Sequence, residues 1–481
     1  LSGTDLRKSK TRAAFIPAEE QTVPFLTRFH DLPFAEKERP DLEIDVPQEG
    51  HILYVNQIKQ SQNTEGGTIH HNLKWSKRPA DRARTKAFLK QIVLQVRVEA
   101  AAQRVDEIRW RYSYPSSFSI GQLEAFDASW RSLVGASAER RSESLSTAVY
   151  FLEAQQAPMV DGSVCIDIGG ASSDIAIWQD SETLLQTSVL LASREIFLQT
   201  IAAEPDYYAE LFRTGRETES LSRDDLTLAD LEELIVLKGD EFLNRLYNQS
   251  DTPQARRLRE RIAIGVSGIF YYIGLLIRHL VEKRSFDPAE GIPSIYFGGN
   301  GSKMLHWLDQ GHYTSRSRIN KLFERVLREA SGLDRGTVDV RLTPPDLVKH
   351  EVAYGLVFDR RLELHSNQAV VAGEAFRTEE SNEEQGWASE LTPEGLSKGI
   401  RVEGSLKNLT RMIEIINDFA EGEDDMLARI PDDEKLIHTA RSRMRNHLRE
   451  LEGKKKRDVD VEALFILGVK MYVDILRDES L

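Results

Sequence analysis

Cysteine is almost missing from this chain. Cys165 stands alone among 481 residues, which excludes an internal disulfide framework and suits a reducing compartment, with the cytoplasm as the expected location. Its apolar neighbours make it a small core hydrophobe, not a nucleophile. Long apolar runs are scarce too. Ile262 to Ile277 (IAIGVSGIFYYIGLLI) carries no charge for 16 residues, short of the ~18–20 a membrane span needs. Its three glycines and one serine suit a helix buried between layers of a large domain. Basic charge is in deficit: 63 Lys and Arg against 77 Asp and Glu leave a net charge of −14. That argues against broad binding to nucleic acid or anionic membranes, and neither is expected as a partner. Metal-ligand spacing is also lacking. His70 and His71 are adjacent, so in a strand they face opposite sides, and no Cys or carboxylate falls at ligand spacing nearby. The chain opens on Leu1 without a signal-peptide pattern and is expected to be a piece of something longer.

What is present has the composition of a globular protein, long enough for roughly two or three domains. Residues 1–50 are irregular, with Pro17, Pro24, Pro33, Pro40 and Pro47 spaced along them. His51–Val55 and Thr68–Trp75 read as strands around Gly66-Gly67. Asp81 to Arg104 has a helical rhythm, and Ile108–Tyr114 reads as a strand running into Pro115-Ser116-Ser117-Phe118. Ser119 caps a helix with Leu123, Phe126, Trp130 and Leu133 on its apolar side, and another helix begins at Glu143. Strands and helices mixed in this order predict an α/β architecture.

The chain is organised around Val164-Cys165-Ile166-Asp167-Ile168-Gly169-Gly170-Ala171-Ser172-Ser173-Asp174-Ile175-Ala176-Ile177-Trp178. Val164–Ile168 is apolar apart from one carboxylate, as a strand covered on both faces is. Gly169 and Gly170 break it, and a β pattern resumes at Ile175. Successive N–H groups in such a turn form a phosphate nest. Asp167, at the strand's end, is placed to hold a water of hydrated Mg²⁺. An ordinary glycine-rich hairpin with a solvated Asp has the same local pattern.

A second strand–glycine turn–helix unit lies downstream. Ile292–Phe297 is a short strand, Gly298-Gly299-Asn300-Gly301-Ser302-Lys303 follows, and a helix is expected from about Lys303. This arrangement leaves helix N–H groups facing a nucleotide or phosphate. Between the two units, 203–235 is acidic and helical. Beyond them, Thr337–Leu342 reads as a strand and Val348–Phe358 as a helix. Glu379–Gly386 is a polar linker, and helices are expected from Ser405, over Lys435–Leu451 and over Val461–Leu476. Lys454–Arg457 is read as a solvated turn.

These motifs resemble those of the actin, heat-shock chaperone and sugar kinase ATPase superfamily. Asp167–Asp174 looks like its second phosphate motif, Phe297–Ser302 its adenosine motif, Glu143–Tyr150 its first connecting helix and Glu351–Leu356 its second. Their order, and the Tyr114-Pro115 corner ahead of them, are similar to the DnaK-type chaperones. The resemblance implies two RNase-H-like subdomains around ATP and Mg²⁺: 1–160 the first, and 161–362 the second with a helical insertion at about 203–285. A linker at 363–395 and a C-terminal helical region at 396–481 complete the expected division.

By the same resemblance, Asp167 would hold Mg²⁺-bound water, and Gly169, Gly170, Ala171 and Ser172 would contact the phosphates. Gly298, Gly299, Asn300, Ser302 and Lys303 would line the adenosine, and Glu143 would orient the attacking water. The family's first phosphate motif, Asp-x-Gly-Thr, is not recognisable; Gly3-Thr4 is a faint echo. At the second connecting helix the family's carboxylate position falls on Lys349 or His350, with Glu351 displaced by a residue or two. The reading is therefore an ATP-binding conformational switch, expected to hydrolyse ATP and to act on a dedicated protein partner through its C-terminal helices or helical insertion. An actin-like filament protein and a non-hydrolysing subunit of a larger assembly remain as alternatives.

Overall fold

The computed structural model describes residues 26–30, 51–55, 69–70, 73–155, 162–204, 207, 244–248, 252–342, 350–359, 376–377, 384–385, 402–450 and 463–478, apart from short gaps within them. Gly3-Thr4, most of 203–235, Lys349 and Lys454–Arg457 lie outside these residues. The chain divides into two units, the first being Leu1–Tyr112, Ile120–Arg140 and Asp225–Phe242. It carries an antiparallel sheet of β1 (Leu26–His30), β2 (His51–Val55) and β3 (Ile69–His70) in the order β2-β1-β3. The strand expected over Thr68–Trp75 is shorter, because a 3-10 turn at Leu73–Trp75 interrupts it. Helices α1 (Pro79–Ala102) and α2 (Ile120–Val134) follow. α1 starts ahead of Asp81 because Pro79 suits a first helical turn, where no N–H is needed. The two helices close a small core of Leu89, Val93, Trp130 and Tyr112, the last two stacked with centroids 5.0 Å apart.

The second unit is Ser113–Ser119, Arg141–Asp224 and Leu243–Leu481. Its centre is a five-stranded sheet. β6 (Ser163–Ile168), β7 (Ser173–Gln179) and β8 (Glu182–Val189) form an antiparallel meander. β9 (Ser294–Gly298) then pairs parallel with β6, and β10 (Val340–Leu342) parallel with β9, giving the order β10-β9-β6-β7-β8. A meander continued by parallel strands is the RNase-H-like arrangement expected of one subdomain. β4 (Arg111–Tyr114) and β5 (Glu139–Ser142) pair with each other as a two-stranded ribbon.

Every residue of β7 is buried, so this sheet is covered on both faces. Side chains alternate between the faces along each strand, which sorts the motifs cleanly. Cys165, Ala176, Trp178 and Tyr296 face Ala148, Phe151 and Leu152 of α3 (Glu143–Glu153). On the opposite face Phe297 meets Phe270 of α5 (Pro253–Glu282), which stacks at 4.5 Å on Phe323 of α7 (Asn320–Ser331). Asp167 shares parity with Cys165 in β6, and Gly298 with Tyr296 in β9. Both therefore belong to the α3 face. There α8 (Glu351–Val357) packs against α3, where Gly355 lies hard against the Ser146 backbone. Arg141 donates to the Gly355 carbonyl at 2.5 Å, satisfying the end of that short helix.

The uncharged run at 262–277 sits within α5 and is buried: it is a core helix. Its glycines mark close approaches. A Cβ on Gly265 would lie 2.5 Å from Ile196, one on Gly268 3.0 Å from Val469, and one on Gly274 2.5 Å from Ala330. The C-terminal helices α9 (Glu403–Gly422), α10 (Glu434–Glu450) and α11 (Leu464–Asp478) belong to the same unit. Phe465 of α11 stacks on Tyr271 of α5 at 4.9 Å, Arg261 donates to the Leu476 carbonyl at 2.7 Å, and Arg411 of α9 pairs with Glu329 of α7. Gly274→Val is expected to force α7 off α5 and cost ~1–3 kcal/mol, the usual range for overpacking. Thermal unfolding checks it: a midpoint lower by several degrees is expected, and an unchanged one contradicts the close approach.

Candidate nucleotide site

Parallel pairing of β6 and β9 sets Asp167 beside Gly298 in register. The two glycine turns expected to face one ligand therefore leave the sheet side by side. Gly299 has a φ of +77°, and a Cβ there would run into the Asp167 carboxylate and the Ile168 carbonyl. Glycine is thus required twice over, by conformation and by space. Gly301 touches Ile168 in the same way.

The turn after β6 is held from two sides. Gly169 N–H donates to the Ser172 carbonyl at 2.8 Å, which closes it. The Gly169 carbonyl accepts from both the N–H and the hydroxyl of Ser193, at 3.3 and 2.9 Å, and the Gly170 carbonyl from Arg194 N–H at 2.9 Å. Peptide units are planar and trans, so a carbonyl aimed one way aims the next N–H the other. Fixing the Gly169 and Gly170 carbonyls therefore turns the N–H groups of Gly170 and Ala171 away from Ser193. Neither of those N–H groups donates a hydrogen bond among the described residues. Two successive, unused N–H groups on one exposed turn can serve as an anion nest.

Charge gathers beside this nest. Asp167 and Asp174 stand directly opposite each other in the β6–β7 ladder, a costly placement for like charges. Each is supplied with donors. The Thr147 hydroxyl bonds Asp167 at 3.2 Å; Asp174 accepts from the Ser172 hydroxyl at 3.2 Å and from Ser116 N–H at 3.4 Å. The Pro115-Ser116 corner is thereby tied to the same turn. Among the described residues no group of three or more His, Cys, Asp or Glu gathers tightly enough to ligate a metal directly.

Other expected residues lie as follows. Ser302 is buried, and its hydroxyl donates to the Gly299 carbonyl at 2.7 Å, bracing the second turn. Asn300 and Lys303 are half-buried in the 3-10 turn Asn300–Lys303, which precedes the short α6 (Met304–Leu308). The helix expected from about Lys303 begins at Met304, directly after this turn. Glu143 opens α3 behind its N-cap Ser142; at i and i+4 it shares a face with Thr147, one turn from Asp167.

Three contributors stand outside the expected set of site residues, although two of them lie within the connecting-helix motifs. Thr147 is one. Glu351 is another: it is fully buried, accepts from Gly299 N–H at 3.2 Å with Oε1, and has an Oε2 with no partner among the described residues. The third is Ser193, on the helix that backs the first turn. A free hydroxyl just after an apolar strand was its only trace in the sequence. Cys165 is inert, because burial, and then the charges of Asp167 and Glu351, push its thiol well above the ordinary value.

The chain has no matching family model and no matching curated protein. Solved structures with a similar fold include a non-polymerising MamK mutant bound to AMPPNP, at 13% identity and a TM-score of 0.35 over 64% of this chain and 84% of that one. A ROK family glucokinase from Streptomyces griseus with glucose and AMPPNP aligns at 14% identity and 0.31, over 55% and 86%. MreB5 of Spiroplasma citri bound to ADP aligns at 13% and 0.30, over 62% and 80%. Likeness of this size assigns no residue a role.

Next to the nest, Glu195 lies in a π-helical turn at Arg194–Leu198, with Oε2 buried and without a partner among the described residues. Burial lifts its carboxyl to about 7, against the opposing pull of Lys470 on α11 and of Arg194. The folded chain then keeps a proton that the unfolded chain has already lost, so stability falls as pH rises from about 4.5 through about 7 and is flat above. The full cost is up to ~3 kcal/mol. Denaturant unfolding at pH 5 and pH 8 checks this. Glu195→Gln is expected to gain stability over the native chain at pH 8 and not at pH 5; parallel pH curves would show the carboxyl to be ionised throughout.

Proposed function

We propose that this chain binds ATP as its magnesium complex and works as a nucleotide-dependent conformational switch. It is similar in kind to the DnaK-type chaperones and is read by a dedicated protein partner through the C-terminal helices. The observation carrying this is the pair of unused N–H groups on Gly170 and Ala171, set beside Asp167 and the Gly298-Gly299 turn on one face of one sheet.

A polyphosphate has the chemistry these groups ask for. Its oxygens accept from the Gly170 and Ala171 N–H groups, while the bare backbone of Gly298 and Gly299 admits the nucleoside at close range. The opposed carboxylates of Asp167 and Asp174 fit a hydrated Mg²⁺, which keeps most of its waters and needs one or two carboxylates to hold them. Asp167, braced by Thr147, would be the residue that holds it. The metal, when bound, neutralises phosphate charge. Glu143 is assigned the orienting of a water for hydrolysis, a step asking the protein for little beyond positioning and charge.

Asp167→Ala is the direct test. Asp167 is half-buried and its side chain bonds the Thr147 hydroxyl, so thermal unfolding is expected to stay within a few degrees of native, at ~2–4 °C per kcal/mol. Magnesium-dependent ATP binding, measured by calorimetry, is expected to vanish. Unchanged affinity with unchanged magnesium dependence would overturn the assignment.

A further inference from the structure

We propose that Ser193 is the positioning residue of the phosphate turn, and that the C-terminal helix α11 sets where Ser193 stands. This rests on reading the turn as an ATP site and names how that site is regulated.

Ser193 puts two donors on one carbonyl. With Arg194 N–H on the next, it fixes both peptide planes whose N–H groups would meet phosphate. The segment carrying Ser193 is not free to drift, because it is tied at intervals along its length. Leu191, two residues earlier, accepts from the Ser173 hydroxyl at 2.6 Å. Ile196 fills the notch at Gly265 of α5. Gln199, at the start of α4 (Gln199–Ala203), accepts from Arg477 of α11 at 2.6 Å.

Between the first tie and the last lies the π-helical turn, closed by Gln199 N–H on the Arg194 carbonyl. A π turn holds one residue more than an α turn. Removing that residue's worth of winding would rotate one end relative to the other by about 100°, so Ser193 and Gln199 could not both keep their partners. The turn therefore couples the position of Ser193 to that of Gln199. On its far side stands α11. Besides Arg477, Lys470 acts electrostatically on Glu195 within the π turn, and Val469 presses on Gly268 where Leu191 also arrives. A shift of α11 along α5 therefore reaches the Gly169 and Gly170 carbonyls through one continuous, hydrogen-bonded segment.

The full chain is titrated by calorimetry with ATP, ADP and adenosine in the presence of magnesium, each variant being checked by thermal unfolding. Ser193→Ala is expected to weaken ATP and ADP by about 3- to 10-fold, the loss of one hydrogen bond, and to leave adenosine unchanged. Ser193→Thr restores the hydroxyl and the affinity. Arg477→Ala and Gln199→Ala each weaken ATP without touching adenosine, and the double variant is no worse than either single one, as a shared tie requires. Failure of the native chain to bind ATP overturns the site reading itself. Native binding with an unaffected Ser193→Ala, or with equal losses for ATP and adenosine, overturns the positioning role alone. Arg477→Ala and Gln199→Ala that bind ATP normally overturn the control by α11.

Discussion

Register between two parallel strands is the constraint on which the site depends. Side-chain direction alternates along a strand, so a slip of one residue would turn Asp167 to the opposite face, away from α3 and α8. The register is held by burial on both sides: Cys165 and Tyr296 belong under α3, while Phe297 belongs against Phe270. Apolar packing far from the ligand thus decides where one carboxylate points. The same register brings Gly298 and Gly299 next to Asp167, and at Gly299 no larger residue fits.

Much of this was legible in the sequence, and the reason is local. Val164–Ile168 and Ile175–Trp178 are apolar on both faces, and paired glycines break chains in few ways, so strand, turn and strand appear with bounds shifted by a residue or so. The uncharged run in α5 declared itself a core helix through its three glycines. Glu351 was visible as a carboxylate but not as a partner of Gly299, because a contact 52 residues apart leaves no periodic mark. The π turn was unreadable for a different cause. Arg194-Glu195-Ile196-Phe197-Leu198 is ordinary helical sequence, and its extra residue is imposed by ties at both ends. Within the first unit the shortened β3 shows the same limit, since the 3-10 turn at Leu73–Trp75 overrode a plausible strand pattern.

The electrostatics of the second unit follow a single theme: carboxyl groups are brought close and then supplied with neutral donors. Asp167 has a threonine, Asp174 a serine and a backbone N–H, and Glu351 a glycine N–H. Uncharged donors lower the cost of burial without cancelling the charge, so the site keeps a negative character on one side of a nest for anions. A ligand carrying both signs, an anion with its cation, matches that layout better than either alone.

The three notches along α5 also bear on where this protein can be cut. Gly265, Gly268 and Gly274 receive Ile196, Val469 and Ala330, residues drawn from the segment behind the glycine turn, from the C-terminal helix and from α7. One helix is therefore the shared spine of elements 273 residues apart in sequence, from Ile196 to Val469. An expression boundary placed between α8 and α9 would look natural by composition. It would strip Phe465, Val469 and Leu476 from the spine and leave its apolar flank open to aggregation.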